Sequence, residues 1–73
     1  MQPLMIEVFR TNVPDPASAR NMIFALHGIY PDAGVTFDLE DVDKVLRIES
    51  AIVEESKVIS LMEAAGYSCR ILP

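Results

Sequence analysis

The sequence predicts an α+β fold in which a four-stranded antiparallel sheet carries two helices on one face. Two segments repeat apolar residues at helical spacing, four short segments alternate in the manner of strands, and the elements follow one another as two β-α-β units. Right-handed crossovers within such units place both helices on the same side of the sheet. The chain has 73 residues, of which 51% are hydrophobic, so we expect one small domain that spans residues 1–73.

The first strand and the first helix are separated by residues that break regular structure. Residues 4–11 alternate and are rich in strand formers, and Ile6 and Val8 are expected to face the helices. Asp15 is the expected N-cap of the helix, because Pro16 suits the first helical position. The apolar positions of this helix recur at offsets 0, 3, 4, 7 and 10, and they are Ala19, Met22, Ile23, Leu26 and Ile29.

Two strands joined by an acidic turn come next. Residues 35–39 alternate as a half-buried strand, residues 41–43 form the expected turn, and Leu46 and Ile48 point inward from the third strand. The carboxylates around this turn lack the spacing and the glycine of a calcium loop, so we interpret them as a solvated end of the hairpin. They are Asp38, Glu40, Asp41 and Asp43.

A second helix and a last strand complete the pattern. Ser50 or a near neighbour is expected to cap this helix, and Gly66 occupies the position where a left-handed residue ends it. Residues 67–72 form the last strand, in which Cys69 points into the core. The apolar positions of the helix are Val58, Leu61, Met62 and Ala65. The complete order, β-α-β-β-α-β, is that of the ferredoxin-like sandwich, with strands in the order 4-1-3-2.

Charge and cysteine content exclude several classes of function. Six lysines and arginines stand against eleven aspartates and glutamates, for a net charge of −5. We therefore expect no nucleic-acid partner, because binding to phosphates needs a basic surface. We also expect no membrane partner, because an anionic membrane surface likewise attracts basic residues and a membrane span needs a long apolar segment. The single cysteine, Cys69, cannot form an internal disulfide, so the cytoplasm is the expected compartment.

Two local sequences resemble those of a known family. Ala25-Leu26 lies near the end of the first helix, and Ala64-Ala65-Gly66-Tyr67 precedes the last strand. Both resemble local sequences of the heavy-metal-associated domain of copper chaperones and metal-pumping ATPases, and length and element order extend the likeness to nearly the whole chain. In that family, a Gly-Met-x-Cys-x-x-Cys loop after the first strand binds Cu(I) or another soft ion through two thiolates.

The corresponding loop of this chain contains no cysteine. The resemblance places Asn12 and Val13 at the family's Gly and Met, and Asp15 and Ser18 at its two cysteines. A carboxylate and a hydroxyl do not replace thiolates for Cu(I), so we expect no metal and no other cofactor. The alternative is an atypical metal-binding or metal-trafficking protein with the ligands Asp15, Ser18 and Tyr67. Tyr67 enters because the resemblance places it beside the metal loop.

Four residues are candidates for an interaction surface. Phe24 lies away from the apolar stripe of the first helix, and Arg20 and His27 are its neighbours on that side. Aromatic residues and arginine are enriched at binding hot spots, so this side is a candidate contact. With Ile6 assigned inward, Phe9 is expected on the open face of the sheet, which suits either an ordinary solvated face or a dimer interface.

The residues predict no enzyme. The chain shows no Ser-His-Asp arrangement and no glycine-rich phosphate loop, and it has three glycines in total. We therefore expect a small non-enzymatic interaction module that acts through an unidentified protein partner or through self-association. A small-ligand sensor that uses the cleft between a helix end and the sheet is a further hypothesis, which no residue favours.

Overall fold

The computed structural model describes residues 3–73, and these form an α+β domain. The elements are β1 (Met5–Thr11), α1 (Pro16–Ile29), β2 (Gly34–Asp38), β3 (Val45–Ser50), α2 (Glu55–Ala64) and β4 (Cys69–Ile71). All three strand pairings are antiparallel, and the sheet order is β2-β3-β1-β4. The predicted order, 4-1-3-2, counts from the opposite edge and names the same neighbours. Neither helix among these residues has the length and apolar character needed to cross a membrane.

One face of the sheet is buried, and its residues are fixed by the strand register. Phe9 of β1 lies opposite Leu46 of β3, which in turn lies opposite Phe37 of β2. Residues directly opposite each other share a face, so these side chains lie on one side of the sheet. The buried residues of both helices join the same cluster: Ala19, Met22 and Leu26 from α1, and Val58 and Met62 from α2. Both helices therefore pack on this face.

The predicted orientation of β1 was wrong. Phe9 is fully buried, whereas Ile6 is 50% exposed and belongs to the other face. Both the odd-numbered and the even-numbered residues of this strand include apolar side chains, so alternation alone does not show which set faces the core. The pairing with Leu46 brings the phenyl ring of Phe9 into the core that both helices cover. Thr11 shares the buried face and donates its hydroxyl to the carbonyl of Lys44, at 2.6 Å.

Local signals place both ends of α1. As predicted, Asp15 caps the helix: its carboxylate accepts a hydrogen bond of 2.7 Å from the backbone N–H of Ser18, and Pro16 is the first helical residue. The hydrogen bond from Ser18 lowers the pKa of Asp15. The helix ends at Ile29, ahead of the turn that begins at Pro31.

The second helix begins later than expected. Ser50 is the last residue of β3, and α2 starts at Glu55 with Glu54 as its N-cap, which makes no side-chain capping bond. Tyr30 supplies an anchor instead, because its hydroxyl accepts a 2.9 Å hydrogen bond from the N–H of Glu54. At the other end, Gly66 adopts a φ of +95°, the predicted left-handed conformation. The last strand is shorter than predicted, since it begins at Cys69.

Candidate functional site

Phe24 stands on the solvent side of α1 and is 84% exposed. It lies two residues from both Met22 and Leu26, which are buried. Each helical residue turns about 100° around the axis, so a two-residue offset points Phe24 away from the core. Arg20, one turn earlier, is also exposed. We call these two residues, Arg20 and Phe24, the Phe24 surface.

A groove runs beside the Phe24 surface, between α1 and the β2–β3 hairpin. Its volume is about 480 Å³, and its apolar lining includes the half-buried side chains of Ile23, Phe37 and Leu39. Arg20 and Glu40 also line it, and they carry opposite charges. Arg20 belongs to both features, so an exposed aromatic and an apolar groove form one continuous surface.

His27 was predicted to join this surface, and the structure gives it a contact within the chain. The imidazole is half-buried, and its Nε2 donates a 2.9 Å hydrogen bond to the carbonyl oxygen of Ala33. That bond ties α1 to the start of β2. Phe9, the fourth predicted member, is buried in the core and cannot reach a partner. Arg20 and Phe24 alone are brought together as an exposed pair.

The residues named for atypical metal binding have structural roles. Asp15 accepts the capping bond from the N–H of Ser18. Tyr67 is half-buried, and its N–H donates a 3.0 Å hydrogen bond to the carbonyl of Met62 at the end of α2. Within residues 3–73, no three His, Cys, Asp or Glu side chains lie close enough together to hold a metal ion.

Cys69 lies inside the core, as predicted, and only 2% of it is exposed. Burial raises the pKa of its thiol to about 11, with a smaller contribution from the negative charge of Glu63. The thiolate is the nucleophile and the metal ligand, so a raised pKa makes this cysteine chemically inert near neutral pH. Its role is packing.

The acidic turn between β2 and β3 is held by its own carboxylates. Asp41 accepts a 2.8 Å hydrogen bond from the N–H of Asp43, and Asp38 accepts one of 3.2 Å from the N–H of Glu40. Lys44 has a φ of 45°, and its ammonium donates to the carbonyl of Leu39 at 2.8 Å. The two aspartate bonds are the Asx turns expected of a tight hairpin end.

Sequence patterns alone did not reveal a charge arrangement on the open face of the sheet. Arg10 of β1 lies directly opposite Arg70 of β4, and Asp38 of β2 lies opposite Val45 of β3. Phe9 lies opposite Leu46 and the strands are antiparallel, so Arg10 of β1 lies opposite Val45 of β3. The two pairs therefore join into one row that crosses all four strands. We call this row, Arg70-Arg10-Val45-Asp38, the charged row. To find this row from the sequence, one must know which face of the sheet each residue of β1 occupies. The alternation of apolar residues in β1 does not decide that.

No family model, curated protein or solved structure matches this chain. The chain's own surface then offers two features for recognition. One is the Phe24 surface with its groove, and the other is the open sheet face with the charged row.

Proposed function

We propose that this chain is a small non-enzymatic protein-interaction module that binds a protein partner through the Phe24 surface. The observation that carries the proposal is the 84% exposure of Phe24 beside the exposed Arg20. A few residues supply most of the binding energy of a protein interface, and aromatic residues and arginine are enriched at interfaces. Full burial of one phenylalanine side chain contributes about 1.5–3 kcal/mol, which is a large part of a modest affinity.

The adjoining groove supports a defined binding geometry. Phe24 projects outward, while the groove accepts an apolar side chain between Ile23 and Phe37. A partner that covers both surfaces meets a projection and a depression side by side. Arg20 and Glu40, of opposite charge, then orient polar groups of the partner at the edge of the groove.

The proposal also assigns a fold and a family relationship to the chain. We assign the chain to the ferredoxin-like sandwich and to a cytoplasmic, heavy-metal-associated-like domain whose metal loop has lost its cysteines. The strand neighbours and the shared core of the two helices support the fold. The left-handed Gly66 before Tyr67 and the helix that begins after Asp15 support the kinship. On this view Asp15, at the position of the family's first cysteine, caps α1 in place of binding a metal.

Comparative capture tests the proposal. The full chain is immobilised as wild type, as Phe24→Ser and as Ile52→Ser, and the proteins that each captures are quantified. Ile52 is the matched control, because it is an apolar residue with 65% exposure that lies between β3 and α2 and does not line the groove. We expect Phe24→Ser to lose proteins that wild type and Ile52→Ser retain, with unchanged thermal unfolding. The same set of proteins on all three chains would contradict the proposal.

A further inference from the structure

The open face of the sheet has an apolar middle. Ile6 is 50% exposed, and Val8 and Val45 are half-buried. Leu72 lies beside Val8, since its N–H donates a 2.9 Å hydrogen bond to the carbonyl of that residue. Arg47 and Glu49 of β3 lie on the same face and pair with each other at 3.3 Å. Among residues 3–73, the other charged side chains on this face are Arg10, Arg70 and Asp38 of the charged row, and none of them forms an ion pair.

The basic end of the charged row is uncompensated within the described chain. Arg10 and Arg70 lie directly opposite each other, an arrangement that is destabilising for like charges. Within residues 3–73, neither guanidinium has a carboxylate oxygen within 4.0 Å. The protein as a whole has a net charge of −5, so its carboxylates outnumber its cations. None of the described carboxylates pairs with Arg10 or Arg70. The pair is therefore available to a carboxylate from another molecule.

The acidic end of the same row provides such a carboxylate. Asp38 is exposed on β2, at the opposite edge of the sheet from Arg70. One of its oxygens accepts a hydrogen bond from the N–H of Glu40, which leaves the other for a further donor. Three strand spacings of about 4.8 Å separate β2 from β4, so Arg70 and Asp38 of one chain lie about 14 Å apart. They do not pair within the monomer.

We propose that a second copy of this chain docks on the open face, with the two-fold axis parallel to the strands. Such an axis places β2 of one copy over β4 of the other and keeps the rows aligned. Arg70 of each copy then lies over Asp38 of the other copy, twice in the dimer, as an isologous interface requires. Facing sheets pack about 10 Å apart, a gap that an arginine and an aspartate side chain together span.

The alternative two-fold axis, perpendicular to the strands, is disfavoured by the same charges. It places each strand over its own copy, so that Arg70 faces β4 of the other copy, and Cys69–Ile71 contains no Asp or Glu. Centred on the middle row of the face, this axis also places Arg47 over Arg47. The face measures about 20 Å on each side, or about 400 Å² per copy, from four strand widths of about 4.8 Å and three side-chain rows of about 6.7 Å. Stable interfaces bury about 800 Å² per partner, so we expect a weak dimer that forms at high concentration and weakens with salt.

Charge exchange tests the dimer directly. Sedimentation equilibrium of the full chain, from micromolar to millimolar concentration, measures self-association of wild type, Arg70→Asp, Asp38→Arg and the double variant. Each single exchange sets like charges against each other and should weaken association about tenfold or more. The double variant restores opposite charges across the interface and should recover association. Because Arg70 and Asp38 are far apart in the monomer, recovery reports contact between copies.

Control variants distinguish association through the open face from a general effect of net charge or of misfolding. Lys57→Asp makes the same change of charge on α2, outside both proposed surfaces, and should leave association unchanged. Circular dichroism shows whether each variant folds, and the neutral variants Arg70→Gln and Asp38→Asn replace any that does not, each with a smaller loss expected. A chain that stays monomeric at every concentration overturns the proposal. So does a dimer that ignores the exchanges, that the double variant fails to restore, or that only Phe24→Ser breaks.

Discussion

The hydroxyl of Thr11 donates a 2.6 Å hydrogen bond to the carbonyl of Lys44, the residue whose backbone takes a φ of 45°. The same hydroxyl oxygen accepts a hydrogen bond of 3.2 Å from the N–H of Val13. Thr11 is buried, so these two bonds satisfy the buried N–H of Val13 and the part-buried carbonyl of Lys44. One side chain thus joins the end of β1, the loop before α1 and the residue that closes the acidic turn.

Replacing Thr11 with valine should destabilise the domain. The substitution keeps the shape of the side chain and leaves two backbone groups without their partner, at a cost of about 1–3 kcal/mol. Urea unfolding measures the difference. Thr36→Val is the control, since Thr36 is exposed on the other face of the sheet. Equal stability of the two variants would contradict this role of the hydroxyl.

The orientation of β1 predicts opposite sensitivities for two neighbouring apolar residues. Phe9→Ala should cost about 3–5 kcal/mol, because it empties part of the core. A domain of this size has about 4–11 kcal/mol in total, so that variant is close to unfolding under ambient conditions. Ile6→Ala should cost less than about 1 kcal/mol, because Ile6 is half exposed. Thermal unfolding in which Ile6→Ala loses more than Phe9→Ala would refute the orientation.

Cys69 should react with thiol reagents only when the protein opens. Its buried thiol has a pKa raised from 9.0 to about 11, so almost no thiolate exists at neutral pH. Because the pKa of this thiol is higher in the folded state than in the unfolded state, the protonated thiol stabilises the fold at pH values below about 9. That contribution is lost as the pH rises from about 9 through about 11. Labelling with an aromatic disulfide reagent measures the rate. Rapid, complete labelling of the folded chain at neutral pH would be inconsistent with a buried thiol.

The loop that ends at Asp15 should not hold a soft or borderline metal ion. Its aspartate caps α1 and its other positions offer no thiolate. Titration with Cu(I) and Zn²⁺ under reducing conditions, against a chelator of known affinity, should show no competitive binding. Sub-micromolar binding that Asp15→Ala abolishes would restore the alternative of non-cysteine ligands. Cys69→Ala serves as the second variant, since it removes the single thiol.

Much of the fold could be predicted because its signals are local. The cap at Asp15, the proline after it and the left-handed Gly66 each act within one helix turn. The start of α2 could not be placed in this way. Ser50 is a good cap residue, yet it lies in β3, and α2 begins with an N-cap, Glu54, that a tyrosine hydroxyl holds from another element.

The face of β1 and the charged row required information that a single sequence does not carry. Met5–Thr11 has apolar residues at both parities, so the choice depends on which side chain meets Leu46 across the sheet. Arg10 and Arg70 come together only through the pairing of β1 with β4. Phe24, in contrast, could be identified in advance, because helical periodicity alone separates it from the buried stripe.

Site-specific photocrosslinking tests the central claim, that Phe24 contacts a protein partner, most directly. A photoreactive benzoylphenylalanine replaces Phe24 in one chain and Ile52 in the control, and both are irradiated in cell extract. Phe24 lies on the proposed binding surface, whereas Ile52 is exposed between β3 and α2 and does not line the groove. We predict a discrete adduct of one mass from position 24 and none of that mass from position 52. No adduct from position 24, or the same adducts from both positions, would contradict the account.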